Sequence, residues 1–168
     1  MSDHGEQIRE RGAVGHTFTV HEEEVHVAAW IDAPQGTLTP AEAESLARQR
    51  DRPTTALDIM PTLLDLLGVH DASEIAPFRA LMPGTSLLRG GPPDDRAVIL
   101  SNCTEIFACA LKNWGAMRGS KKLIATQHDH AWACYDVAED PQELDDLGPE
   151  ACEDLKDFAE ADGRGTPF

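Results

Sequence analysis

The sequence predicts an α/β chain whose second half forms a small antiparallel sheet closed by a terminal helix, and three observations predict it. The stretch Val25-His26-Val27-Ala28-Ala29-Trp30-Ile31 is short, apolar and rich in β-branched residues, and Asp32-Ala33-Pro34 closes it, so it reads as a buried strand. Two helical stretches follow it. Beyond Asp95 the period changes to short apolar segments separated by turn residues, which is the pattern of an antiparallel sheet.

Each element has its own signal. Thr39-Pro40-Ala41-Glu42 combines a capping box with proline at the first helical position, which predicts a helix from about Pro40 to Arg50. Leu57, Met60, Leu63, Leu64 and Leu67 recur at helical spacing, but Pro61 cannot sit inside a helix. The expectation is a turn over Thr55–Met60 and a helix from Pro61, stopped by Gly68. Asp71 to Asp95 holds much of the proline and glycine and reads as loop. Ala97–Cys103, Phe107–Leu111, Lys122–Thr126 and Ala133–Val137 are the expected strands. Pro149 to Ala161 is the last helix, with Leu155 and Phe158 on its inner face. Gly163 onward is tail.

These elements divide into residues 1–95, the end of an α/β core, then 96–162, the antiparallel subdomain with its helix, then the tail 163–168. The first part offers a single apolar strand with no parallel partners, although a lone strand leaves both edges open and both faces bare. It therefore reads as the last piece of an α/β sheet.

Composition narrows the function. The 168 residues suit one domain or one large piece of one, and 41% hydrophobic residues are enough for a globular core. With 30 acidic against 14 basic residues the net charge is -16, which repels phosphate backbones and anionic lipid headgroups. Nucleic acid is thus not an expected partner. An anionic substrate requires local positive charge from a metal or histidine. No signal peptide and no membrane-length apolar run is present, so the chain as written is expected in the cytoplasm. Cys103, Cys109, Cys134 and Cys152 form no C-x-x-C pair and lie in or beside apolar stretches; buried thiols are expected, with a disulfide as the alternative.

Ser2-Asp3-His4-Gly5 carries the sharpest chemical signal. A carboxylate beside an imidazole suits Zn²⁺ or Mn²⁺, and Ca²⁺ less well. Neighbouring residues on a straight strand point to opposite faces, so both reach one ion only at a turn, which Gly5 permits. Alone, an Asp-His dipeptide is more simply explained as an exposed polar terminus. Of the other histidines, His21 and His26 flank the expected strand, and His128-Asp129-His130 reads as a hairpin turn. Glu22-Glu23-Glu24 reads as a solvated strand lead-in, although one of the three could face the cleft.

An ordered series accompanies the turn. It runs through Gly15-His16-Thr17, Glu22 to Val27, Leu57 to Val69, Pro83-Gly84-Thr85-Ser86, Lys121-Lys122-Leu123-Ile124, and Tyr135-Asp136 through Asp140-Pro141-Gln142-Glu143 to Leu147. From Ser2 to about Gly148 this series resembles the sulfatase family of the alkaline phosphatase superfamily, with its phosphodiester and phosphonate hydrolases and its phosphoethanolamine and phosphoglycerol transferases. The resemblance implies an alkaline-phosphatase-like sheet, a divalent metal held by Asp3 and His4, and His16 as the catalytic, substrate-contacting histidine. It implies hydrolysis of a sulfate ester, or in the alternative chemistry on a phosphate ester.

The sequence departs from that pattern in one respect. The family needs a nucleophile, a formylglycine made from Cys in a C-x-[PA]-x-R motif or a Thr or Ser, and none of the four cysteines has that motif. Two metal ligands also fall short of the three that divalent sites usually take. The expectation is a chain inactive by itself. Its missing N-terminal half would be encoded upstream, carried on another chain, or lost, leaving a non-catalytic remnant.

Overall fold

The computed structural model describes residues 1–16, 19–50, 52–102, 113–126 and 130–161. It is mixed α and β, with a two-stranded and a four-stranded antiparallel sheet and a C-terminal helix. The chain resolves into two compact units: Met1–Trp30 grouped with Ala97–Phe168, and Ile31–Arg96. The N-terminal segment thus groups with the residues from Ala97 onward.

In the first unit, β1 (Gln7–Ile8) and β2 (Val14–Gly15) form a short hairpin, followed by the helical turn α1 (Glu22–Val25). The main sheet runs β3 (Ala97–Ser101), β4 (Asn113–Arg118), β5 (Lys121–Thr126) and β6 (Ala131–Asp136), each antiparallel to the next. A 3₁₀ turn, Pro149–Cys152, leads into the terminal helix over Glu153–Ala161. This helix buries Leu155 and Ala159 against Ala116, Leu123 and Cys134, with Ile99, Trp132 and Phe158 at the margin. Charged residues fill its other face, as its amphipathic sequence requires.

The segment after β6 covers that strand's open edge. The Cys134 amide donates to Asp146 Oδ1 at 3.0 Å, and the Leu147 amide donates to the Cys134 carbonyl at 2.8 Å. Edge groups that would otherwise invite another strand are thereby satisfied within the chain.

The second unit is helical. Helix α2 (Pro40–Arg48) starts on the expected capping box, with the Thr39 amide donating to Glu42 and the Glu42 amide to Thr39 Oγ1. A 3₁₀ turn (Ala56–Asp58) runs into α3 (Ile59–Leu66), and a short α4 (Ala76–Arg79) and a 3₁₀ turn (Leu87–Arg89) follow. Asp58 is fully buried. It accepts from both terminal nitrogens of Arg96, at 2.8 and 2.7 Å, and from the amides of Thr55 and Thr85. Burial acts to raise its pKa, but the Arg96 guanidinium and the two amides outweigh it and hold the carboxyl below the usual range.

Several expectations need correction. Val25–Ile31 is not a strand: Val25 ends α1, and Ala28 to Ile31 lack regular structure, with Trp30 74% exposed. Among the described residues the β-branched run has no neighbouring strand to pair with, and Glu22 to Glu24 favour the helical turn that takes its first residue. Helix α3 begins two residues before Pro61, because the missing N–H falls in the first turn and costs no bond. Met60 and Leu63 on α3, with Leu57 before it and Leu67 at its end, are exposed. The stretch 71–95, read as loop, contains α4 and a 3₁₀ turn. Cys134 and Cys152, expected as thiols, form a buried disulfide. Strand β4 was not anticipated, and the expected strand Phe107–Leu111 lies outside the described residues, as do Cys103, Cys109, His128, Asp129 and the tail from 163.

Candidate functional site

The β1–β2 hairpin assembles the chemical groups. Its register pairs Gln7 with Gly15 and Ile8 with Val14, so the residues just outside it, Glu6 and His16, come opposite each other. His16 Nδ1 and Glu6 Oε2 lie 3.1 Å apart. The connecting turn takes Arg9, Arg11 and Gly12 through positive φ, which lets five residues reverse the chain.

The turn before β1 brings in His4. Its ring stacks on that of His16 with centroids 3.8 Å apart and planes inclined by 29°. Two backbone hydrogen bonds and one from a side chain hold the turn. The Ser2 amide donates to the Ala28 carbonyl at 3.1 Å, Ser2 Oγ donates to the His4 carbonyl at 2.6 Å, and the Gly5 amide donates to the Glu24 carbonyl at 2.8 Å. Gly5 is required here by space. A Cβ at this position would lie 2.0 Å from the Glu23 carbonyl oxygen.

His4, Glu6 and His16 each present one ligand atom, and the three atoms lie within 4.8 Å of one another on an exposed surface. Two imidazoles and a carboxylate suit Zn²⁺ or Mn²⁺ better than Ca²⁺, which prefers oxygen throughout. His4 Nδ1 lies 2.8 Å from the Gly5 carbonyl. Occupying one ring nitrogen in this way leaves Nε2 for a cation, as metal-binding histidines usually arrange. The Gly5 carbonyl raises the His4 pKa, with smaller contributions from Asp3, Glu6 and Glu24.

Asp3 is placed differently from the sequence expectation. Its Oδ2 sits 3.7 Å from His4 Nε2, but its side chain is 88% exposed and outside the converging three. Hydrogen bonds from its own amide and that of His4, together with the His4 ring, keep its carboxyl below the usual range. The structure thus brings His4 and His16 together and adds Glu6, which the sequence reading missed. The signal for Glu6 was a hairpin around the Arg9–Gly12 turn.

A second polar cluster lies in the interior of this unit. Glu143 accepts from the Glu22 amide at 2.8 Å and is 2.8 Å from His21 Nδ1, 2.9 Å from Lys122 Nζ and 3.3 Å from Arg11 Nη2. Lys122 Nζ also donates to Glu22 Oε1 at 2.7 Å. Arg11 Nε pairs with Glu23 at 3.2 Å, and Gln7 donates to the buried Glu24 at 2.8 Å. Burial pushes Glu143 toward protonation, yet His21, the Lys122 charge and the Glu22 amide bring its pKa down to about 2. Beside the cluster, Glu10, Glu22 and Glu23 line a shallow groove with Arg11 and His26. The Glu22–Glu24 run is therefore a packed element and not the solvated lead-in its composition suggests. In the second unit, His70 pairs with Asp71 and Asp65.

No helix among the described residues is long and apolar enough to cross a membrane. No family model matches the chain, and no curated protein matches it.

Proposed function

We propose that the turn from Asp3 to His16 binds a divalent cation, Zn²⁺ before Mn²⁺ or Ca²⁺, and that the chain is the C-terminal portion of a sulfatase-like hydrolase of sulfate esters with an alkaline-phosphatase-like sheet. The observation that carries this reading is the convergence of His4, Glu6 and His16, drawn from opposite ends of a hairpin onto one point. Sequence neighbours alone would not produce it. The ordered series from Ser2 to Gly148 supports the family assignment.

His4 and Glu6 hold the cation, with Asp3 close enough to His4 to join by a side-chain rotation. A bound cation would supply Lewis-acid polarisation of a nonbridging ester oxygen. His16 has two roles open to it. As a third ligand it completes the usual minimum; as a substrate contact it donates to an ester oxygen, with Glu6 orienting its ring. The nucleophile would come from residues outside this sequence, since the cysteines lack the C-x-[PA]-x-R motif. That absence also favours a second reading, a non-catalytic module that retains the turn.

Calorimetric titration of the chain with Zn²⁺ tests the reading, alongside H4A, E6Q and H16A and an aryl sulfate hydrolysis assay. One saturable site lost in H4A and weakened in E6Q is expected. Loss in H16A makes His16 a ligand, and retention makes it a substrate contact. Binding that is absent, or equal in H4A and the parent chain, sinks the proposal.

A further inference from the structure

We infer that Glu143 is a positioning residue for the metal turn, holding His4 and its neighbours in place through α1 without touching them. The inference rests on the proposed metal site and names what fixes its geometry.

The connection is physical at every step. Glu143 is fully buried, and its hydrogen bonds and ion pairs go to Arg11, His21, the Glu22 amide and Lys122, none of them in the converging three. By accepting the Glu22 N–H and meeting His21, the residue that caps α1, it fixes the start of that helical turn. Lys122, on the central sheet strand β5, anchors the carboxylate from the other side and also grips Glu22. One and two residues further on, α1 meets the metal turn backbone to backbone. The Glu24 carbonyl accepts the Gly5 N–H, and the Glu23 carbonyl packs so closely on Gly5 that no side chain fits. Gly5 lies between His4 and Glu6, and its carbonyl orients the His4 ring. A displacement of α1 is thus passed to two of the three ligating side chains. A four-residue helical turn has no cooperative stability of its own to resist such a displacement.

The pair E143Q/K122M removes both buried charges together, so neither is stranded in the interior. The groups left behind keep partners, Glu22 with His26 and Arg11 with Glu23. Amide hydrogen exchange of the metal-free protein gives the first readout. Protection of the Gly5 amide is expected to fall by about tenfold or more in E143Q/K122M, with the amides of Leu123 and Ile124 in the sheet unchanged. Zn²⁺ titration gives the second, an affinity loss of about 10- to 100-fold, the range for groups that orient metal ligands. Undiminished Gly5 protection overturns the inference, as does a uniform loss across the sheet, which marks general destabilisation. If the parent chain binds no Zn²⁺, the metal reading fails while the exchange measurement still decides the role of Glu143.

Discussion

Lys122 Nζ lies 2.9 Å from Glu143 Oε1 with both side chains fully buried, joining β5 to a segment 21 residues later in the chain. Removing one partner takes a counter-charge out of the buried cluster, but Glu143 keeps Arg11 and His21 and Lys122 keeps Glu22, so the cost stays below that of a stranded charge. K122M and E143Q should each destabilise the protein by about 1–3 kcal/mol. Because a buried pair gains little net over apolar side chains of similar size, E143Q/K122M should lie within about 1–2 kcal/mol of the parent. Urea unfolding of all four proteins checks this, and additive losses in the double variant refute it.

The same carboxylate sets an acid limit. Its folded pKa of about 2 lies below the ordinary 4.5, so its contribution is present in full above pH 4.5 and is lost as pH falls toward 2. Protonation also relieves repulsion in a chain of net charge -16, which acts in the opposite direction. Comparison with E143Q separates the two. The parent should lose more stability than E143Q between pH 4.5 and 2, measured by denaturant midpoints at matched ionic strength. Parallel curves would refute the assignment.

Legibility in the sequence tracked the range of the interactions. The capping box at Thr39 and Glu42 is a contact over three residues and was read correctly. The strands Lys121–Thr126 and Ala131–Asp136 carry alternating or apolar runs and were found within two residues. Asn113–Arg118 was missed because Asn-Trp-Gly-Ala-Met-Arg has no β-branched residue. It is a strand because it pairs on both edges, and because Gly115 lets the Leu123 carbonyl approach to 2.9 Å of where a Cβ would stand. Glu22 looked solvent-facing because its partners, Lys122 and Glu143, lie 100 and 121 residues away. Within the candidate site, the sequence points to Asp3, His4 and His16 but not to Glu6, which comes opposite His16 only in the hairpin register.

Cys134 and Cys152 link β6 to the 3₁₀ turn before the last helix and close a loop of 18 residues. A loop of that length corresponds to about 3 kcal/mol from restriction of the unfolded chain, although part of the effect is enthalpic. Reduction, or C134A/C152A, should lower stability by about 2–4 kcal/mol while keeping the sheet. Near-ultraviolet dichroism and urea midpoints with and without reductant check this. An unchanged midpoint would show that the bond does not form.

Zinc binding should weaken as pH falls, since an imidazole must be neutral to ligate. The Gly5 carbonyl raises the His4 pKa above the ordinary 6.5, so protons compete from a higher pH than for a free imidazole. Titrations at pH 8, 7 and 6 should show affinity falling as the pH is lowered. An affinity flat to pH 6 would exclude His4 as a ligand.

Gly5 and Gly12 separate crowding from backbone strain. A methyl at Gly5 would sit 2.0 Å from the Glu23 carbonyl oxygen and 2.9 Å from its carbon, both main-chain atoms that cannot rotate aside. G5A must therefore push the turn off α1, and Zn²⁺ affinity should fall by about tenfold or more. Gly12 has φ of 78° and open space around its Cβ position, so G12A incurs only left-handed strain, about 1 kcal/mol. Its titration should match the parent. If G5A binds Zn²⁺ as well as G12A does, the contact between α1 and the turn does not set the ligand geometry, and the hairpin alone must hold His4, Glu6 and His16 together.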